Sequence, residues 1–130
     1  YAILDPHSHQ FTYVNAGHNP PLLYRAKGKE LITLQGHGLA LGVMAGISLE
    51  EHSIEMEPGD LVLMYTDGVT DAINSREEEF GTDRLAAMMT ANAHLNVDSM
   101  VGDITRAVAE FAGEGIHFDD VTMVALKREV

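Results

Sequence analysis

The run Leu61-Val62-Leu63-Met64-Tyr65 leads straight into Thr66-Asp67-Gly68. Five apolar residues without polar alternation predict a strand covered on both faces, as at the centre of a sheet. Just before it, Glu57-Pro58-Gly59-Asp60 sets proline and glycine where a β-turn takes them. A second apolar run, Val121–Leu126, lies near the end of the chain and follows Asp119-Asp120. If these two strands are antiparallel neighbours, the end of the first lies beside the start of the second. Asp67 then meets Asp119 and Asp120 at one edge of the sheet. Two carboxylates ~5 Å apart at an effective dielectric of ~20 repel by roughly 3 kcal/mol. A hard divalent cation removes that cost, and oxygen donors beside a glycine backbone suit Mg²⁺ or Mn²⁺. Acids at strand ends beside glycine are also ordinary turn formers. Spacing alone leaves both readings open.

Working outward, the first half reads as strands and turns. Tyr1–Leu4 precedes an Asp5-Pro6 turn, and Phe11–Val14 is aromatic and β-branched. Leu22–Ala26 and Glu30–Leu34 flank the hairpin signal Lys27-Gly28-Lys29. A glycine-rich loop from Gly36 to Gly42 follows, then a strand through Ser53–Met56. The second half changes period. Thr82 is placed to N-cap a helix reaching about Ala93, with Leu85, Met88 and Met89 on one side. A second helix, near Asp98 to Ala112, carries Val101, Ile104, Val108 and Phe111 on one face and stops at Gly113 and Gly115. Strands, two amphipathic helices and a final strand predict an α+β layered domain.

Composition narrows the chemistry. The 130 residues hold 8 Lys+Arg against 20 Asp+Glu, a net charge of −12. That balance disfavours nucleic acid and anionic membrane surfaces, which attract basic faces. With 45% hydrophobic residues the chain is globular, and its length predicts one domain. The absence of cysteine excludes disulfides, thiolate metal sites and a cysteine nucleophile. No apolar run is long enough for membrane insertion, and no signal peptide is visible. A cytoplasmic location is the expectation.

Six segments, in order, resemble the bacterial branch of the PPM (protein phosphatase 2C-like) phosphatases, typified by the stage II sporulation protein E and sigma-regulatory phosphatases. They are Asn15-Ala16-Gly17-His18-Asn19-Pro20-Pro21, Gly38-Leu39-Ala40-Leu41-Gly42, Pro58-Gly59-Asp60, Tyr65-Thr66-Asp67-Gly68-Val69-Thr70-Asp71-Ala72, Phe80-Gly81 and Phe118-Asp119-Asp120-Val121-Thr122. The resemblance implies a layered β-sandwich flanked by helices. It also implies a binuclear Mn²⁺ or Mg²⁺ centre whose bridging water attacks the phosphorus of phosphoserine or phosphothreonine. Asp67 and Asp119 match the family's metal-ligating aspartates, Gly68 would contribute its backbone, and Asp120 matches a less direct position. No side-chain nucleophile is required.

The family's domain starts upstream with a strand carrying a bridging aspartate and an Asp-x-x-Gly-His-Gly motif. Neither precedes Tyr1, and Gly36-His37-Gly38 has Thr33 where the motif has its acid. The expectation is therefore that residues 1–130 form the C-terminal part of one phosphatase domain, truncated on its N-terminal side and weakly active or inactive alone. The implied partner is a phosphoprotein of the anti-sigma-factor antagonist type. Unpaired sheet edges predict self-association. The rival reading is a non-catalytic regulatory module that keeps the fold and a protein-binding surface. His18 is weighed as an acid or phosphate contact and read in preference as a turn residue, since Pro20-Pro21 fix the exit of its loop. The remaining histidines are read as surface residues, Asn74–Glu79 as a substrate-contacting flap or a solvated charge run, and most methionines as core filler.

Overall fold

The computed structural model describes residues 1–36, 38–113 and 120–129. Seven strands among them form two antiparallel sheets. The first sheet has the order β1-β2-β5, from β1 (Ala2–Leu4), β2 (Gln10–Val14) and β5 (Glu51–Glu55). The second has the order β4-β3-β6-β7, from β3 (Leu22–Arg25), β4 (Glu30–Thr33), β6 (Leu61–Tyr65) and β7 (Met123–Lys127). Three helices complete the described chain: α1 (Asp67–Thr70), α2 (Gly81–Asn92) and α3 (Val97–Ala112).

The apolar run is central, as its lack of alternation predicts. β6 pairs with β3 on one side and β7 on the other. Successive side chains of a strand point to opposite faces, so both faces must be covered. Leu61, Leu63 and Tyr65 pack with Leu22 against Leu85, Met89, Met100, Ile104 and Val108 of the helices. Val62 and Leu23 point the other way and pack with Phe11, Tyr13 and Met56 of the first sheet side. The result is three layers: helices, the four-stranded sheet, then the three-stranded sheet. This is the predicted α+β sandwich with flanking helices. Of its four edge strands β1, β5, β4 and β7, three carry exposed large apolar residues: Ile3 and Leu4 on β1, Ile32 on β4 and Val124 on β7.

The turn before β6 is of type II. Asp60 N–H donates to Glu57 O at 3.0 Å across Pro58-Gly59, and Gly59 has φ +86°. A side chain at Gly59 would also meet Ala26 Cβ at 2.8 Å.

Several boundaries differ from the sequence expectation, each for a physical reason. β7 begins at Met123 rather than Val121, because Thr122 N–H donates to the Thr66 hydroxyl at 2.9 Å instead of joining the ladder. Phe80, not Thr82, occupies the N-cap of α2, and no side chain caps that end. Burial raises the pKa of the Tyr65 phenol, while a hydrogen bond with Thr82 acts in the opposite direction. α3 starts one residue earlier than predicted, at Val97. Its cap is Asn96, whose Oδ1 accepts from Ser99 N–H at 2.8 Å. The buried face of α3 is Met100, Ile104, Val108 and Ala112, with Val101 and Phe111 half-buried on its flank. Gly113, at φ +79°, ends the helix as predicted, whereas Gly115 lies outside the described residues.

β7 is tied to α2 by one long side chain. Lys127 Nζ donates to Ala93 O at 2.8 Å and Leu95 O at 2.7 Å, at the C-terminal end of α2. Charged donors at such an end satisfy free carbonyls and favour the negative pole of the helix. Lys127→Met keeps the apolar stem and removes both bonds, so it should cost about 2 kcal/mol. Urea unfolding checks this: the midpoint should fall with an unchanged slope.

Candidate active-site cleft

The β6–β7 pairing places the candidate carboxylates. Tyr65 stands opposite Met123 in the ladder, so the chain leaving β6 runs beside the chain entering β7. Thr66 stitches the two together just beyond the strands. Its N–H donates to Thr122 O at 3.0 Å, and its hydroxyl donates to Asp120 O while accepting from Thr122 N–H. Asp67 comes next and opens α1, a single turn that the sequence reading did not predict. Asp71 N–H and the Thr70 hydroxyl both donate to Asp67 O, at 2.8 and 3.1 Å. The backbone of Asp67 is thereby fixed while its side chain stays exposed. Gly68, half-buried, follows in the same turn. Asp120 adopts φ +58°, a left-handed conformation that Asp tolerates better than most side chains.

Asp67 and Asp120 line one cleft of about 300 Å³, together with Gly17, His18, Asn19 and Thr66. Asp119 lies outside the described residues, as do His37 and His117. Among the described residues no three His, Asp or Glu side chains converge as metal ligands. The donors that share the cleft are hard carboxylate oxygens. They fit Mg²⁺ or Mn²⁺ by type and reach two side chains without Asp119.

The opposite wall is the Asn15–Asn19 loop. Asn15 is buried, and its side chain bridges the turn: Oδ1 accepts from His18 N–H at 2.8 Å and Nδ2 donates to His18 O at 2.9 Å. Gly36 and Gly38 of the glycine-rich loop press against this turn. A Cβ at Gly38 would sit 2.2 Å from Asn15 O, and one at Gly36 would sit 2.5 Å from Asn15 Cβ. The turn bonds at position 18 are made by its backbone, and the residue lines the cleft. That His18 shares a cleft with Asp67 was beyond the sequence reading, because it depends on which distant loops meet.

The other expectations divide. His7 and His94 are exposed as predicted, but His52 is half-buried, stacked on Tyr13 with ring centroids 5.3 Å apart. Asn74–Glu79 is an exposed, tightly organised turn. Asn74 Oδ1 accepts from the N–H groups of Arg76 and Glu78, at 2.9 and 3.1 Å. The Asn74 amide, helped by Arg76, lowers the pKa of the Glu78 carboxyl. Met56, Met89 and Met100 are fully buried, whereas Met44 is exposed.

The profile of the stage II sporulation protein E (SpoIIE) family matches residues 1–129. The chain belongs to that family. Phosphoserine phosphatase RsbU of Bacillus subtilis is 30% identical over 132 residues, covering 100% of this chain and 38% of RsbU. Protein IcfG of Synechocystis is 32% identical over 128 residues, covering 98% of this chain and 20% of IcfG. The crystal structure of RsbU and RsbW domains from a Mycobacterium tuberculosis protein superposes with a TM-score of 0.79 at 28% identity. That match covers 98% of this chain and 35% of the solved one. This SpoIIE-family chain therefore sits in the RsbU-like, sigma-regulatory branch of the PPM phosphatases and spans well under half of each of these relatives. No described helix is long and apolar enough to cross a membrane.

Proposed function

We propose that residues 1–130 are the C-terminal part of a PPM-type phosphatase domain that hydrolyses phosphoserine or phosphothreonine on a regulatory protein. The observation that carries this reading is the shared cleft of Asp67 and Asp120, built by the antiparallel pairing of β6 with β7. An anti-sigma-factor antagonist in the cytoplasm is the substrate type that suits a relative of phosphoserine phosphatase RsbU. Asp67 and Asp119 would hold Mn²⁺ or Mg²⁺, with the Gly68 backbone and Asp120 in support. A divalent ion held there would supply charge neutralisation of the phosphate and activation of water. The chain's own part is positional. Thr66 locks the two carboxylate-bearing segments together, and the α1 turn fixes the Asp67 backbone. Positioning and charge stabilisation account for most of phosphoryl-transfer catalysis.

The further metal ligands of such a centre would come from outside residues 1–130. The expected result is Mn²⁺-dependent release of phosphate from a phosphoserine protein by the full-length protein, and little or none by residues 1–130 alone. Full activity in the 130-residue chain would contradict the partial-domain reading. No activity in the full-length protein would favour the regulatory module.

A further inference from the structure

We propose that the His18 imidazole is a phosphoryl contact of this cleft, holding the substrate's phosphate beside Asp67 through its Nε2 atom. The inference rests on the phosphatase reading and adds a residue to it.

The turn that carries His18 does not explain its side chain. Asn15 bonds to the backbone N–H and C=O of position 18, groups that any residue except proline supplies. Gly17, at φ +81°, has its Cβ direction closed by Ala40 N at 3.0 Å, again a demand on backbone alone. The loop would form equally well around another side chain at position 18. Yet the ring is oriented. His18 Nδ1 lies 3.1 Å from Asn19 O, and a carbonyl oxygen only accepts, so Nδ1 must carry the hydrogen. That bond fixes the tautomer, and among the described residues Nε2 has no partner.

Charge gives that nitrogen a task. A phosphate monoester is anionic, and the cleft brings two carboxylates toward it. Among the described residues lining the cleft, His18 is the single side chain able to carry positive charge. The described residues of the neighbouring segment, Gly36, Gly38, Leu39 and Ala40, have no ionisable side chain. A hydrogen on Nε2 as well would make His18 an oriented, charge-assisted donor to a phosphoryl oxygen. Its loop is braced by Asn15 and by the close approach of Gly36 and Gly38, so the contact is made without reorganisation.

The test uses the full-length protein with a phosphoserine peptide. His18→Ala should raise KM about tenfold with a smaller change in kcat, as expected for loss of a charged hydrogen bond to bound substrate. His18→Gln keeps an N–H donor without the charge and should fall between the two. Independently of any variant, inorganic phosphate added to the ¹⁵N-labelled Mg²⁺ protein should shift the Nε2 resonance of His18 in the wild type. A KM within twofold of wild type in both variants would overturn the contact, as would a His18 ring that does not respond to phosphate. If His18→Ala fails to fold, His18→Gln and the wild-type resonance decide. A wild-type protein without metal-dependent phosphatase activity would overturn both this contact and the function it rests on. Activity lost in Asp67→Asn but untouched at position 18 would sink the contact alone.

Discussion

Asp60→Ala should lower the stability of the fold by about 2–4 kcal/mol, the cost of leaving two backbone N–H donors without their acceptor and Arg25 without its carboxylate. Asp60 is fully buried. Its Oδ2 accepts from Arg25 Nη1 at 2.6 Å and Glu57 N–H at 2.8 Å, and its Oδ1 accepts from Ala26 N–H at 3.0 Å. Its backbone carbonyl accepts from Arg128 N–H at 2.9 Å, just beyond β7. One residue therefore joins the end of β3, the turn before β6 and the chain after β7. Removing the carboxylate leaves two backbone N–H donors without their acceptor and takes the charge partner from half-buried Arg25, whose Nη1 keeps its bond to Glu55 O at 2.8 Å. Domains of this kind have only about 5–15 kcal/mol in total, so the loss is a large fraction. Asp60→Asn keeps the shape and one acceptor oxygen, and should cost about 2 kcal/mol. Urea unfolding of the two variants beside wild type measures both values. A change below 1 kcal/mol in Asp60→Ala would contradict the anchoring role.

Asp67→Asn should have the opposite profile, with activity lost and stability kept. Among the described residues the Asp67 carboxylate makes no hydrogen bond or ion pair, and the residue is exposed. What the local structure uses is its backbone carbonyl, which asparagine supplies equally. The unfolding midpoint should stay within about 0.5 kcal/mol of wild type, as for surface changes away from special features. If Asp67 ligates the divalent ion, replacing its charge with an amide removes the stabilisation of the phosphoryl-transfer transition state. The expected fall in kcat is at least about 10²-fold, the range seen when one preorganised electrostatic group is removed. The contrast between these two acids matters because both follow a turn or strand motif of similar appearance in the sequence. One is a structural anchor and the other is free for chemistry.

How much of this was legible follows from the range of the interactions involved. The centre of the fold was legible because Leu61–Tyr65 has no alternation, and a strand of that kind must be covered on both faces. The meeting of its end with the approach to β7 followed from antiparallel pairing. The single turn α1 was not legible, since four residues show no helical period. The cap of α3 could have been read, because Asn96 stands three residues before Ser99 and asparagine is a favoured N-cap. The cap of α2 could not, because Phe80 offers no side-chain oxygen and Thr82 was the more conventional signal. The burial of Asp60 was hidden for another reason. Its partners Arg25 and Ala26 come from a hairpin whose position over the turn is set by β3–β6 pairing. His18 is the clearest case: the loop's turn chemistry was readable, but which cleft the residue lines depends on β6, β7 and the glycine loop together.

The central claim is that Asp67 belongs to a metal-dependent phosphatase site. Its most direct test is phosphate release from a phosphoserine protein by the full-length protein, wild type beside Asp67→Asn, with Mn²⁺ and after chelation. The account predicts activity only in the wild type with metal, and matching unfolding midpoints for the two proteins. Metal-dependent activity in Asp67→Asn equal to that of wild type would contradict it.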